Sequence, residues 1–198
     1  MKDPQFREIE QSISLHGLGF VQVRLQAKQR LHVWHPDLPR RTCFKHSSIH
    51  DHRFAFVSKV LVGVQRNVRY EETEVPVGHG THVAYRHDGM RYAQGGRPWD
   101  ACACVTVRQA FVQDVYAGEV YTMPAYMFHE TRPLGDGRVA TLMTKTFEGT
   151  EGARSLCAIG VTPDTDFDRH QLSATALWDV VADVLGGRAV DAAQEAVA

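Results

Sequence analysis

Between residues 48 and 149, apolar and β-branched side chains come in short runs broken by Gly, Pro and Asp, which predicts strands rather than helices. The runs are Ile49–Val62, Val68–Glu74, Thr81–His87, Cys102–Val112, Glu119–Met123, Met127–Thr131 and Val139–Phe147. Two more precede them, Phe20–Gln26 and Arg30–His35, the second closed by Pro36 and Pro39. Asp88-Gly89, set between Val83–Arg86 and Met90–Tyr92, has the two-residue loop of a tight hairpin. Gly95-Gly96-Arg97-Pro98 reads as a loop. At both ends of the chain the period changes. Asp3-Pro4 followed by Phe6, Ile9 and Ile13 predicts a short amphipathic helix ended by Gly17. His170–Leu185 carries Leu172, Ala176, Leu177, Val180, Val181, Val184 and Leu185 at helical spacing. Gly186-Gly187 is expected to stop that helix, and the Ala-rich tail Ala189–Ala198 to form a further short one.

Many short strands at this interval predict an all-β sandwich or barrel. The expected organisation is a single domain over 1–198, with a barrel core at about 20–149 and a helical C-terminal extension at about 166–198. A hydrophobic fraction of 43% and a charged fraction of 23% suit a soluble globular protein. A net charge of −1 gives no electrostatic reason to expect nucleic acid or an anionic membrane as partner. The charged N-terminus lacks a signal-peptide core and no run of about 18 apolar residues occurs, so the expected location is cytoplasmic. The cysteines (Cys43, Cys102, Cys104, Cys157) are too scattered for a disulfide framework. The Cys-x-Cys at 102 and 104 reads as small buried strand residues rather than a soft-metal site.

His50-Asp51-His52 carries the chemistry. Imidazoles at i and i+2 of a strand share a face, and a third from another strand would complete a metal site with open positions. With 11 His in the chain, an HxH by itself is not surprising. Its surroundings decide. By parity Phe54, Phe56, Ser58, Val60 and Val62 should point inward with the two histidines, giving an apolar cavity for a small ligand. Asp51 should then point outward, where it could steady a neighbouring strand or loop, although an exposed carboxylate in such a place is more often merely solvated. Glu130, beside His129 but of opposite parity, is not expected to be a ligand. Arg53 and Lys59 should face away, leaving Arg24, Arg30 or Lys145 as the basic residues expected to face a ligand. The remaining histidines (His46, His79, His82, His87, His170) give little reason to expect a second metal.

The spacings resemble the two signature motifs of the cupin superfamily, a double-stranded β-helix or jelly-roll barrel. In the first, His50, His52 and Gly63 match, while Phe56 stands where the family has Glu and Phe44 where it has Gly. In the second, Gly118, Pro124 and His129 match, while Tyr126 replaces a Gly and Pro133 an Asn. The resemblance covers roughly residues 44–147, or from about 20 if the first strands belong to the barrel.

This resemblance implies a metal held by His50, His52 and His129 alone, because Phe56 cannot bind one. Such a site is similar to that of the three-histidine cupins, among them the thiol dioxygenases, in which Fe(II) binds thiolate and O₂ together. Those enzymes also place a Tyr near iron in a Ser-His-Tyr arrangement, which this sequence lacks; Tyr126 is the candidate in its place. The expectation is therefore a metal-dependent oxidoreductase for a small anionic or thiol substrate, with Fe(II) favoured over Zn, Ni or Mn. A non-catalytic ligand-binding cupin and a Zn or Ni isomerase or hydrolase are the alternatives. An edge strand or the C-terminal helix would offer a homodimer contact.

Overall fold

The computed structural model describes residues 12–26 and 28–195, with side chains to residue 186. Eleven strands form two antiparallel sheets. They are β1 (Ile13–His16), β2 (Phe20–Arg24), β3 (Gln29–Trp34), β4 (Phe54–Val62), β5 (Val64–Val75) and β6 (His82–His87). Then follow β7 (Asp100–Tyr116), β8 (Val120–Met123), β9 (His129–Pro133), β10 (Val139–Glu148) and β11 (Ala153–Ala158), and finally helix α1 (Ala174–Glu195). The first sheet has the order β1-β2-β3-β10-β4-β8 and the second β11-β6-β7-β5-β9. The all-β expectation holds at that level. No helix among the described residues is long and apolar enough to cross a membrane.

Strands β1 to β3 show why the sequence builds two faces at once. Ile13, Leu15, Val21, Val23, Leu31 and Val33 form one buried row and pack with Leu177, Val181 and Val184 of α1. The alternate residues, His16, Gln22, Arg24, Arg30, His32 and Trp34, line a cavity on the other side. With both faces covered, β2 is buried at four consecutive positions. Helix α1 is thus an outer layer that lets the inner face be polar. Ser173 caps it, its Oγ accepting from Ala176 N at 3.2 Å.

Between the sheets, Phe54, Phe56 and Val60 of β4 pack with Val115, Tyr121, Met123 and Met143. A second interior cluster joins Ile49, Ala84, Val105, Phe128 and Leu156. The parity expected for β4 is observed as far as Val60: Phe54, Phe56, Ser58 and Val60 are buried and Lys59 is exposed. Val62, also expected inward, packs with the cluster on the α1 side after a register shift.

Several expectations are corrected. Residues 1–11 of the N-terminal helix lie outside the described residues, and its last turn, Ile13–His16, is strand β1. The segment from Ile49 is not one continuous strand, since β4 begins only at Phe54. Asp88-Gly89 turns the chain with Gly89 at φ +82, yet Met90–Tyr92 forms no strand. Strand β6 pairs with β7 and β11 instead, so both its edges are already occupied. Strand β11 carries no alternation strong enough to be seen in the sequence. Helix α1 runs through Gly186-Gly187 without a break, because a helical Gly costs only about 1 kcal/mol and the Ala-rich residues beyond it favour helix. Cys102 is exposed rather than buried on β7.

Gly63 turns the chain from the first sheet into the second, between β4 and β5, at φ +74. A Cβ there would overlap the Arg138 carbonyl oxygen. Gly63→Ala should therefore cost about 2 kcal/mol or more, from left-handed strain plus the displaced carbonyl. Urea unfolding measures it, and a loss below about 0.5 kcal/mol would contradict this account.

Candidate metal centre

His50 and His129 come from distant parts of the chain but form one antiparallel pair. His50 N donates to His129 O and His129 N to His50 O, both at 2.9 Å. A reciprocal pair of this kind sets two side chains abreast on the same face. On its other side the same segment is held by β11, with Asp51 N donating to Arg154 O and Leu156 N to Ile49 O, each at 2.9 Å. Residues 49–51 thus belong with the second sheet, while β4 belongs to the first. The chain crosses from one to the other through 51–53, which is why the HxH is not inside a regular strand.

The crossing still delivers His52 to the same place. Its ring centroid lies 4.8 Å from that of His50 and 5.1 Å from that of His129. The His52 ring stacks on Phe54 at 4.8 Å, and its carbonyl accepts from Tyr126 N at 2.7 Å. The three potential ligand atoms all lie within 4.8 Å of one another. It is the one such His/Cys/Asp/Glu group found among the described residues.

The ring tautomers follow from the neighbours. His50 Nδ1 lies 2.8 Å from Ser48 O, and His129 Nδ1 lies 3.0 Å from Met127 O. A carbonyl can only accept, so each Nδ1 carries the proton and each Nε2 keeps its lone pair. Burial holds all three imidazoles below their ordinary value, His129 down to about 3 and His52 well below 6.5. Neutral rings with oriented Nε2 lone pairs are the donor set a divalent cation requires.

Asp51 corrects the expectation of a solvated carboxylate. It is 2% exposed and accepts from Arg154 N at 2.6 Å and Arg154 Nε at 2.9 Å. Burial pushes its carboxyl up, and the hydrogen bonds and charge of Arg154 pull it back. Glu130 is buried too, accepting from Tyr70 Oη at 2.5 Å and Ser48 Oγ at 3.3 Å, and is not part of the metal-ligating group. Tyr126 sits at φ 60 with its hydroxyl on the backbone of Glu151, accepting from Glu151 N at 3.0 Å. It is not among the residues that line the cavity.

The imidazoles open into a cavity of about 400 Å³. Arg24, Arg30 and Lys145, the basic residues singled out in the sequence, all line it. Arg53, expected to face away, stands at its rim paired with Glu148 at 2.8 Å. Arg41, Arg91 and Arg169 line it as well and were not foreseen. They lie in segments outside the strands, whose path only the tertiary fold reveals. His16, His32 and His87 also line the wall, whereas His46, His79 and His170 are exposed. His87 Nε2 is 2.8 Å from Ser155 Oγ.

No model of a known protein family matches this chain, and no curated protein does.

Buried neutral imidazoles make stability depend on pH. Burial holds His32 down to about 3 and His87 to about 4, alongside the three site histidines. An unfolded chain takes up protons near 6.5, so stability is complete above that pH and falls as pH drops from about 6.5 towards 4. Each ring removes up to about 1.4 kcal/mol per pH unit in that window. Urea midpoints at pH 7.5, 6 and 5 should fall in that order; a flat series would refute the buried neutral rings. Asp51→Ala should cost about 2–4 kcal/mol in the same assay, by removing the buried acceptor of Arg154 N and Nε and leaving that guanidinium paired only with Glu72 at 3.6 Å.

Proposed function

We propose that the protein is a metal-dependent oxidoreductase of cupin type, similar to the three-histidine thiol dioxygenases, acting on a small anionic or thiol-containing substrate. His50, His52 and His129 would hold one divalent ion, Fe(II) by preference. The observation that carries this reading is three neutral imidazoles within 4.8 Å of one another at the wall of a ligand-sized cavity.

Further details support the cupin reading. Gly63 and Gly118, the two motif glycines, have φ +74 and +96. Tyr126, which stands where the second motif has Gly, keeps a left-handed backbone at φ 60. Phe56, in the place of the motif carboxylate, packs 5.6 Å from the His52 ring and 6.4 Å from that of His129, centroid to centroid.

A bound Fe(II) supplies open positions on which a thiolate and O₂ can meet. The net change for a thiol would be R–S⁻ + O₂ → R–SO₂⁻, in which both oxygen atoms end on sulfur and sulfur provides the four electrons. The remaining work falls to the chain. Ser48 and Met127 carbonyls orient two of the rings. Phe54 and Phe56 keep one wall apolar, and the cationic lining draws an anion inward. Because all three ligands are neutral, the ion would keep its full double charge towards that anion.

Metal analysis of the purified protein, then anaerobic Fe(II) loading and O₂ uptake with a panel of thiols, tests this reading. One ion per chain and thiol-dependent O₂ uptake are expected, both lost in His129→Ala. An unchanged metal content in His129→Ala would remove the site. Fe(II) binding without O₂ consumption would instead favour the non-catalytic ligand-binding protein, and native zinc or nickel the isomerase or hydrolase.

A further inference from the structure

The cavity wall carries far more positive charge than the histidine site needs. Nine Arg and Lys side chains line it against two carboxylates, Asp51 and Asp88, in a chain whose net charge is −1. Part of that excess is locally matched. Arg154 pairs with Asp51, and Arg53 and Lys145 with Glu148. Arg24, Arg30, Arg91 and Arg169 form no ion pair among the described residues.

Backbone geometry sets these four as two pairs on the wall of one cavity. Arg24 and Arg30 are directly opposite each other across the β2–β3 pair, a like-charged placement that costs stability. Arg91 and Arg169 converge on Gly95. Arg91 donates to the Gly95 carbonyl at 2.5 Å, and Arg169 packs so closely that a Cβ on Gly95 would lie 3.0 Å from its Cδ. Arg169 N donates to Gln94 O at 3.0 Å, which ties the two segments together. Beside them, His32 Nε2 is buried without a hydrogen-bond partner. Burial, then the charges of Arg91, Arg24, Arg30 and Arg41, pull the Arg169 guanidinium down to about 10.

An arrangement of this kind is unfavourable while empty of anions and favourable around one. One guanidinium saturates one carboxylate, whereas a phosphate monoester offers three terminal oxygens and two charges to several donors at once. We propose that this pole of the cavity binds the phosphate group of a small phosphorylated substrate, with Arg24, Arg30, Arg91 and Arg169 as cationic ligands and His32 as a neutral donor. That the phosphorylated molecule is a substrate rests on the metal-dependent reading above; the anion site can be measured apart from it.

The experiment is calorimetric and thermal-shift titration of the metal-free, full-length protein with inorganic phosphate at constant ionic strength. Saturable binding in the range of about 1 mM or tighter is expected. Arg24→Gln and Arg30→Gln should each weaken it about tenfold or more. In phosphate-free buffer Arg24→Gln should raise Tm by about 1–3 °C, because it removes a like-charged cross-strand pair. Arg108→Gln, whose guanidinium pairs with Glu71 on an exposed surface, should leave the titration unchanged. The proposal is overturned if phosphate does not bind, if the cavity substitutions leave its affinity unaltered, or if malonate and citrate bind as tightly. His129→Ala separates the two ideas: loss of metal with phosphate binding retained supports the arginine site. Loss of phosphate binding in that metal-free variant would place the anion on the imidazoles and refute it.

Discussion

The reciprocal hydrogen bonds between His50 and His129 are the contact on which the site depends. They set the relative height of two segments that sequence alone leaves far apart. Once that register is fixed, His52 has only to follow through a short crossing for three imidazoles to meet. Asp51 and Arg154 lock the same segment from its other side. The carboxylate between the two histidines is therefore a structural anchor, and its burial is the cost of holding an irregular segment between two strands.

A second constraint is electrostatic. Interior histidines remain neutral because burial penalises their charged form, which leaves lone pairs for a cation. The same cavity holds guanidiniums, which cannot discharge at neutral pH and repel one another. One pole is thus suited to a positive ion and the other to a negative group. A single ligand that spans them would satisfy both, and the roughly 400 Å³ of space is of the right order for a small organic molecule.

Much of this was legible from periodicity. The alternation through Phe54, Phe56, Ser58 and Val60 gave the inward face of β4. The three histidines were legible because i, i+2 spacing keeps its facing even where the strand is irregular. Parity misses the burial of Asp51 because it gives only the direction of a side chain, and here the neighbouring strand β11 turns Arg154 onto the carboxylate. The arginines at 91 and 169 were invisible for another reason: they stand on segments with no period, positioned by backbone hydrogen bonds of Arg169 to Gln94 and Leu15 and by the absence of a side chain at Gly95. The hairpin signal at Asp88-Gly89 was a true turn whose expected partner strand lost to β7 and β11.

The two-faced strands β1 to β3 have an evolutionary corollary. Ile13, Leu15, Val21, Val23, Leu31 and Val33 answer to the outer core with α1, Leu38 and Phe167, while His16, Gln22, Arg24, Arg30 and His32 face the cavity. Two alphabets are interleaved along one stretch of chain, one residue apart, and selection can edit either without rewriting the other. Specificity can drift across the inner letters while the outer ones keep the molecule folded.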